Sequence, residues 1–191
     1  MKKLIIMMSI VAIGFSLGAC NKKEEVQPVE PVEPVQVEEP AEVEVEEPKE
    51  EAKVVEYLLY LKSKEDMELT GERFEVQIEK NTTNLELYKY ILDQLINFNG
   101  LDYAVTPIPP QTEVKELTLD GTILNITLSK EFIESKTDKM FKLSVASIVN
   151  TMIAIEGIEK VNISIDGEEN TIKGVDFSEN KSFDETFFPD K

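Results

Sequence analysis

Histidine and tryptophan are absent from the 191 residues, and cysteine occurs once. Without histidine there is no Ser-His or Cys-His couple and no imidazole metal ligand, and a lone cysteine can form neither an internal disulfide nor a thiolate zinc site. Glycine is also scarce, with eight residues and no cluster, so no glycine-rich phosphate loop occurs and nucleotide binding has no support. Positive charge is the minority sign: 20 Lys and Arg stand against 38 Asp and Glu, a net charge of −18. Such a chain repels phosphate backbones, which excludes nucleic acid as a partner class.

What is present divides the chain into three segments. Met1-Lys2-Lys3 precedes an apolar stretch from Leu4 to Leu17, broken by Ser9, Gly14 and Ser16, and then Gly18 and Ala19 lead to Cys20. This is the charged, apolar and small-residue order of a secretory signal, and it is shorter than the roughly 20 apolar residues of a membrane span. Leu17-Gly18-Ala19-Cys20 resembles the bacterial lipobox. That resemblance implies cleavage after residue 19, a diacylglycerol on the Cys20 thiol, and an extracytoplasmic protein lipid-anchored to a bacterial membrane, at the outer face of the cytoplasmic membrane in a monoderm. Cys20 is then a lipid attachment site and not a catalytic residue. Two or three acyl chains anchor firmly where one is marginal, and Lys22 and Lys23 add attraction to anionic headgroups. An ordinary signal ending in cysteine, or an uncleaved anchor, are the alternatives.

Residues 21–53 hold five of the nine prolines, seven valines, four lysines, twelve glutamates and no aromatic residue. Pro28-Val29-Glu30-Pro31-Val32-Glu33-Pro34-Val35 repeats every third residue, which suits a solvated polyproline II helix whose glutamates repel one another. Such a segment buries too little apolar surface to offset its ordering entropy, so residues 20–53 are expected to be the lipidated cysteine and a disordered stalk. Extended at about 3.1 Å per residue, it reaches on the order of 100 Å.

Residues 54–191 hold all five tyrosines and every phenylalanine except Phe15, at a length suited to one core. Val54–Leu61 is a nearly continuous apolar run, as in a strand buried on both faces. Phe74, Val76 and Ile78 alternate with Glu75, Gln77 and Glu79, a half-exposed strand. Thr82-Thr83-Asn84 offers caps for a helix carrying Leu85, Tyr88, Leu92, Leu95 and Ile96 up to Asn99-Gly100. A proline loop follows, then a hairpin turning at Asp120-Gly121. Lys130–Glu134 is a short helical turn, and Asp138–Ile155 a helix with its apolar residues on one stripe, ended by Gly157. A strand over Lys160–Ile165, a second Asp-Gly turn at Asp166-Gly167 and a final strand near Thr171–Val175 complete the order. Alternation with one packed and one wet sheet face predicts an α+β two-layer sandwich.

Candidate chemistry is sparse. Paired carboxylates are the remaining route to catalysis, and Asp166, Glu168 and Glu169 are candidates, on a turn that solvent normally covers. The same turn lacks the aspartate spacing and final glutamate of an EF-hand, leaving only a weak divalent site conceivable. Asn150 lies mid-helix among Ile148, Val149 and Met152, suited to a helix-packing hydrogen bond or a partner surface. Tyr88, Tyr90, Phe98 and Tyr103 can form a ligand patch or, at their spacing, pack in the core.

Several short motifs together resemble the GerMN domain, a sporulation and spore-germination module of bacterial envelope lipoproteins. They are Thr106-Pro107-Ile108-Pro109-Pro110-Gln111-Thr112, the Asp120-Gly121 hairpin, Leu128-Ser129-Lys130-Glu131-Phe132, Ser147-Ile148-Val149-Asn150-Thr151, Gly157-Ile158-Glu159-Lys160-Val161, Ile165-Asp166-Gly167 and Gly174-Val175-Asp176-Phe177-Ser178. The resemblance runs from Val54 to Phe177. It implies an αββαβ core like the ring-building motifs, with a mixed sheet and two main helices on one face, and no catalytic, cofactor or metal residues. The implied role is a protein-interaction or assembly module in sporulation, germination or cell-wall processes. Its expected partners are the membrane through Cys20 and an envelope protein or cell-wall component, with homo- or hetero-oligomers open. A carboxylate-based peptidoglycan hydrolase and a ligand- or metal-binding lipoprotein are the alternatives from other classes.

Overall fold

The computed structural model describes residues 52–189. Cys20, the signal and the stalk expected from the sequence lie outside the described residues. Eight strands and two helices follow in the order β1 (Lys53–Ser63), β2 (Leu69–Ile78), α1 (Asn84–Ile96), β3 (Ala104–Val105), β4 (Val114–Asp120), β5 (Ile123–Leu128), α2 (Asp138–Ile153), β6 (Lys160–Ile165), β7 (Thr171–Ile172) and β8 (Val175–Asp176). A 3-10 turn over Lys130–Glu134 precedes α2.

The αββαβ core consists of α1, β4, β5, α2 and β6. Its sheet is mixed, in the order β4-β5-β6: β4 and β5 are antiparallel through Leu119↔Leu124, and β5 and β6 are parallel through Ile126↔Ile163. The turn between β4 and β5 needs a left-handed residue, and Gly121 supplies it at φ 60°. Leu124, Ile126 and Leu128 on β5 and Val161, Ile163 and Ile165 on β6 are buried on one face. On the other face Thr127 and Ser164 share a hydrogen bond of 3.0 Å. The period-2 alternation thus sorts one greasy face, which receives both helices, from one wet face.

The first two strands do not join that sheet. β1 and β2 pair antiparallel over ten positions, with Tyr57 opposite Phe74, and β3 adds only Lys62↔Val105 and Ser63↔Ala104. β1 is also not buried on both faces along its length. Tyr57, Leu59 and Leu61 are buried, whereas Leu58 and Tyr60 are only half-buried, because α2 lies against one edge of the strand and does not cover its second face. Ser147 Oγ on α2 donates to the Tyr60 carbonyl at 2.6 Å, and the Tyr60 N–H donates to Thr151 Oγ1 at 3.0 Å. Two helix hydroxyls therefore stand where a neighbouring strand would.

α1 begins with a capping box: Thr83 Oγ1 accepts from the Glu86 N–H at 3.3 Å, and the Thr83 N–H donates to Glu86 Oε2 at 2.7 Å. α2 ends at Ile153 with Ala154 as its cap, so Gly157, at φ 93°, shapes the turn beyond and does not end the helix. In place of a final strand near Thr171–Val175, the chain folds back on itself as the β7–β8 hairpin around Lys173 and Gly174, both with positive φ.

Every residue from Leu143 to Met152 is buried, so this stretch of α2 is enclosed on all sides and not along one stripe. The covering element is the tail after β8. Lys181 pairs with Val161 on the edge of β6. Phe187 buries with Leu69, Leu143 and Ala146 in a second apolar cluster apart from the main core. The tail thus straps α2 from the edge of one sheet to the edge of the other.

Candidate functional site

The two Asp-Gly turns and the long helix give the sequence candidates their positions. Asp166, Glu168 and Glu169 are exposed on the turn after β6, where the Glu168 N–H closes back onto the Ile165 carbonyl at 3.1 Å. Their surroundings are solvent, not a desolvating cleft, so this turn has none of the environment that sets apart a general acid from a base. Among the described residues, no group of three or more Asp, Glu, His or Cys side chains could hold a metal ion.

Asn150 is fully buried, and among the described residues it bonds to the tail and not to a second helix. Its Nδ2 donates to the Asp184 carbonyl at 2.7 Å and its Oδ1 accepts from the Asp184 N–H at 2.8 Å. The side-chain amide copies the donor and acceptor of a strand and pins the tail to α2. Nearby, Tyr60 meets Phe183 and Phe188 edge-on at 5.5 and 5.6 Å.

The aromatic candidates divide. Tyr88 is buried in the main core, and Phe98 packs on Phe74 with ring centroids 5.5 Å apart. Tyr90 is 38% exposed and stands edge-on to Tyr57, whose hydroxyl is pushed up to about 12 by burial first and by Tyr90 second. Tyr103 is 55% exposed and donates to Glu72 Oε2 at 2.9 Å, a bond that raises its pKa. They do not converge on one ligand patch.

Two surface features were not read from the sequence. A cleft of about 610 Å³ lies between the start of β1, the start of α1 and the end of α2, lined by Val55, Ile78, Leu87, Tyr88 and Ile155. The second feature is the outer edge of β2. Antiparallel ladders turn alternate residues outward, and the Leu69 N–H donates outward to the Phe187 carbonyl at 2.7 Å. Gly71, Arg73, Glu75 and Gln77 share that orientation, and none has a main-chain partner on that side among the described residues. Alternation of polar and apolar residues showed that β2 was a strand, but not which of its edges would be left open.

The sequence model of the Germane family, described as sporulation and spore germination, matches residues 57–171. The chain belongs to the Germane family. No curated protein matches it significantly by sequence. Among solved structures, the tandem GerMN domains of the sporulation protein GerM from Bacillus subtilis are similar at 20% identity and a TM-score of 0.55, over 68% of this chain and 46% of that one. The chain thus spans about half the length of the tandem structure. The first GerMN domain of the same protein aligns at 22% identity and a TM-score of 0.49, over 67% of this chain and 97% of that one. A putative lipoprotein from Clostridium perfringens aligns at 21% identity and a TM-score of 0.46, over 68% and 87%. The tandem structure corroborates the mixed α+β fold of the Germane domain; at this identity the likeness concerns the fold. The family match ends before the β8 strand and the tail that straps α2.

Proposed function

We propose that this Germane-family chain is an envelope protein, tethered by lipid on Cys20, whose domain recruits or assembles with another envelope protein in sporulation, germination or wall processes. The observation that carries the association reading is the outer edge of β2, a strand of ten residues whose unpaired N–H and C=O groups form a template for a further strand. Arg73 and Glu75, both exposed on that strand, guard it against indiscriminate pairing while leaving it open to a matched partner. The tether reading rests on the apolar leader and on the placement of the only cysteine.

The test uses the full chain in its native envelope. A photo-crosslinking residue at Gln77 is expected to capture one reproducible partner, and proline at Glu75 to abolish the capture by removing an outward N–H. Equal capture from a position on the wet face of β5 would refute the assignment of the β2 edge. Release of fragments from peptidoglycan by the purified chain would overturn the recruiting role in favour of a hydrolase. A Cys20→Ser chain that still fractionates with membranes and takes up no labelled fatty acid in either form would refute the tether.

A further inference from the structure

Arg73 is the only arginine in the chain, and it stands near the middle of the open edge of β2. The open part of that edge has two definite ends. At one the Leu69 N–H is taken by the Phe187 carbonyl of the tail, and at the other the strand stops at Ile78. Between them Gly71, Arg73, Glu75 and Gln77 turn their N–H and C=O groups outward, and all four are exposed on one face of the sheet. The midpoint of this stretch is Phe74.

The charges on that face do not balance within one copy. Glu75 lies directly opposite Glu56 of β1, a like-charge pair that disfavours the ladder. Arg73 compensates Glu56 at 2.9 Å, and among the described residues no cation lies within ion-pair distance of Glu75. The Arg73 guanidinium bonds Glu56 through one nitrogen, which leaves donors for a second carboxylate. A strand that relieved this edge would set a cation opposite Glu75 and a carboxylate opposite Arg73.

β2 itself carries that complement. Turned about a two-fold axis at Phe74, an antiparallel second β2 sets its Glu75 opposite Arg73, its Arg73 opposite Glu75, and Gln77 opposite Gly71 at both ends. All four outward residues are then used, and each pair exchanges two main-chain bonds. Other registers fail on the same residues. An axis at Arg73 sets arginine against arginine, and one at Glu75 sets glutamate against glutamate. An axis at Glu72 brings Glu75 to Leu69, already taken by the tail, and one at Val76 carries Gly71 past the end of the strand. With the axis at Phe74, normal to the sheet, exposed face continues into exposed face. On the other face the Phe74 ring, packed against Tyr57 and Phe98, comes beside its own copy. We propose that the β2 edge is completed by β2 of a second copy of this chain, antiparallel about an axis at Phe74, with Arg73 of each copy against Glu75 of the other. This rests on the reading of the β2 edge as the association surface and names its partner. The product is an isologous dimer that closes on itself and leaves β2 no edge for further growth.

The test is sedimentation equilibrium of the full chain in density-matched neutral detergent. A reversible dimer is expected, weakened by about tenfold or more in Arg73→Glu and in Glu75→Arg, since each change turns two attractive pairs into two repulsive ones. Mixed in equal amounts, the two variants are expected to pair with each other as the parent chain pairs with itself, because the mixture again sets acid against base at both positions. Recovery on mixing also shows that neither variant had lost its fold. The affinity of the parent and of the mixed pair should fall as salt rises. A parent chain that stays monomeric at about 1 mM, single variants that dimerise as well as the parent, or a mixture that fails to pair would each overturn the proposal. The photo-crosslinking residue at Gln77 separates this failure from failure of the reading beneath it. In the envelope it is expected to join to the segment around Gly71 of a second copy. Capture of a different protein alone overturns self-pairing and leaves the β2 edge as the association surface, whereas no capture from Gln77 removes both.

Discussion

Replacing Asn150 by alanine tests whether the tail is part of the folded unit or an ornament on it. The side chain is fully buried, and both of its hydrogen bonds, at 2.7 and 2.8 Å, go to the backbone of Asp184. Each such bond contributes about 1 kcal/mol net, so the substitution costs about 2 kcal/mol if the strap stays in place and leaves the Asp184 groups unpaired. If the strap peels away, Asp184 is rehydrated, but Phe187 leaves its contacts with Leu69, Leu143 and Ala146. Exposing one phenylalanine costs about 2 kcal/mol. The expected loss is therefore about 2–4 kcal/mol, read from the urea midpoint of the full chain. Amide exchange separates the two routes, because the Leu69 N–H is protected only while it donates to the Phe187 carbonyl. Asn150→Asp keeps the acceptor for the Asp184 N–H but turns an oxygen toward the Asp184 carbonyl, and it should lose nearly as much. A change below about 0.5 kcal/mol for Asn150→Ala, with Leu69 exchange unaltered, would refute the reasoning.

Thr151→Val is nearly isosteric and strands the Tyr60 N–H, so the urea midpoint should fall by an amount equivalent to about 1–3 kcal/mol. Thr83→Ala removes the cap of α1 and should cost about 1 kcal/mol. The Glu86 carboxyl is held below its ordinary value first by the Thr83 backbone N–H and then by the Thr83 hydroxyl. A depressed acid adds stability above its unfolded-state pKa and loses it as pH falls through the folded one. Alanine keeps the Thr83 N–H and removes only the hydroxyl, so Thr83→Ala should lessen the acid-limb loss in part and raise the Glu86 titration seen by NMR. Tyr57 shows the opposite sign: raised from 10.0 to about 12, it stabilises fully below pH 10.0 and ceases to as pH climbs through about 12. Tyr57→Phe should remove that alkaline loss, checked by unfolding in urea between these limits.

The legible parts of the fold were those set by local period and punctuation. Alternation placed the inward residues of β5 and β6, the Asp120-Gly121 pair placed the hairpin between β4 and β5, and Thr82-Thr83-Asn84 marked the start of α1. The strap escaped because Phe183, Phe187 and Phe188 have no period; their order comes from α2 and β2, which are distant in sequence. α2 did carry a signal that could have been used. Ser144, Ser147 and Thr151 recur at helical spacing within an otherwise apolar helix, a polar line that marks where backbone must be met. Ser147 and Thr151 meet Tyr60, and Ser144 Oγ donates to the Pro107 carbonyl at 2.7 Å.

The segment that wraps α2 lies outside the residues matched by the family model, 57–171. A polypeptide trimmed to that boundary would keep the αββαβ core yet uncover Leu69, Leu143 and Ala146, a greasy flank that invites clumping. The portable unit of this protein for expression or grafting is therefore longer than its recognisable homology, and a dozen unremarkable-looking letters at its end decide whether it stays in solution.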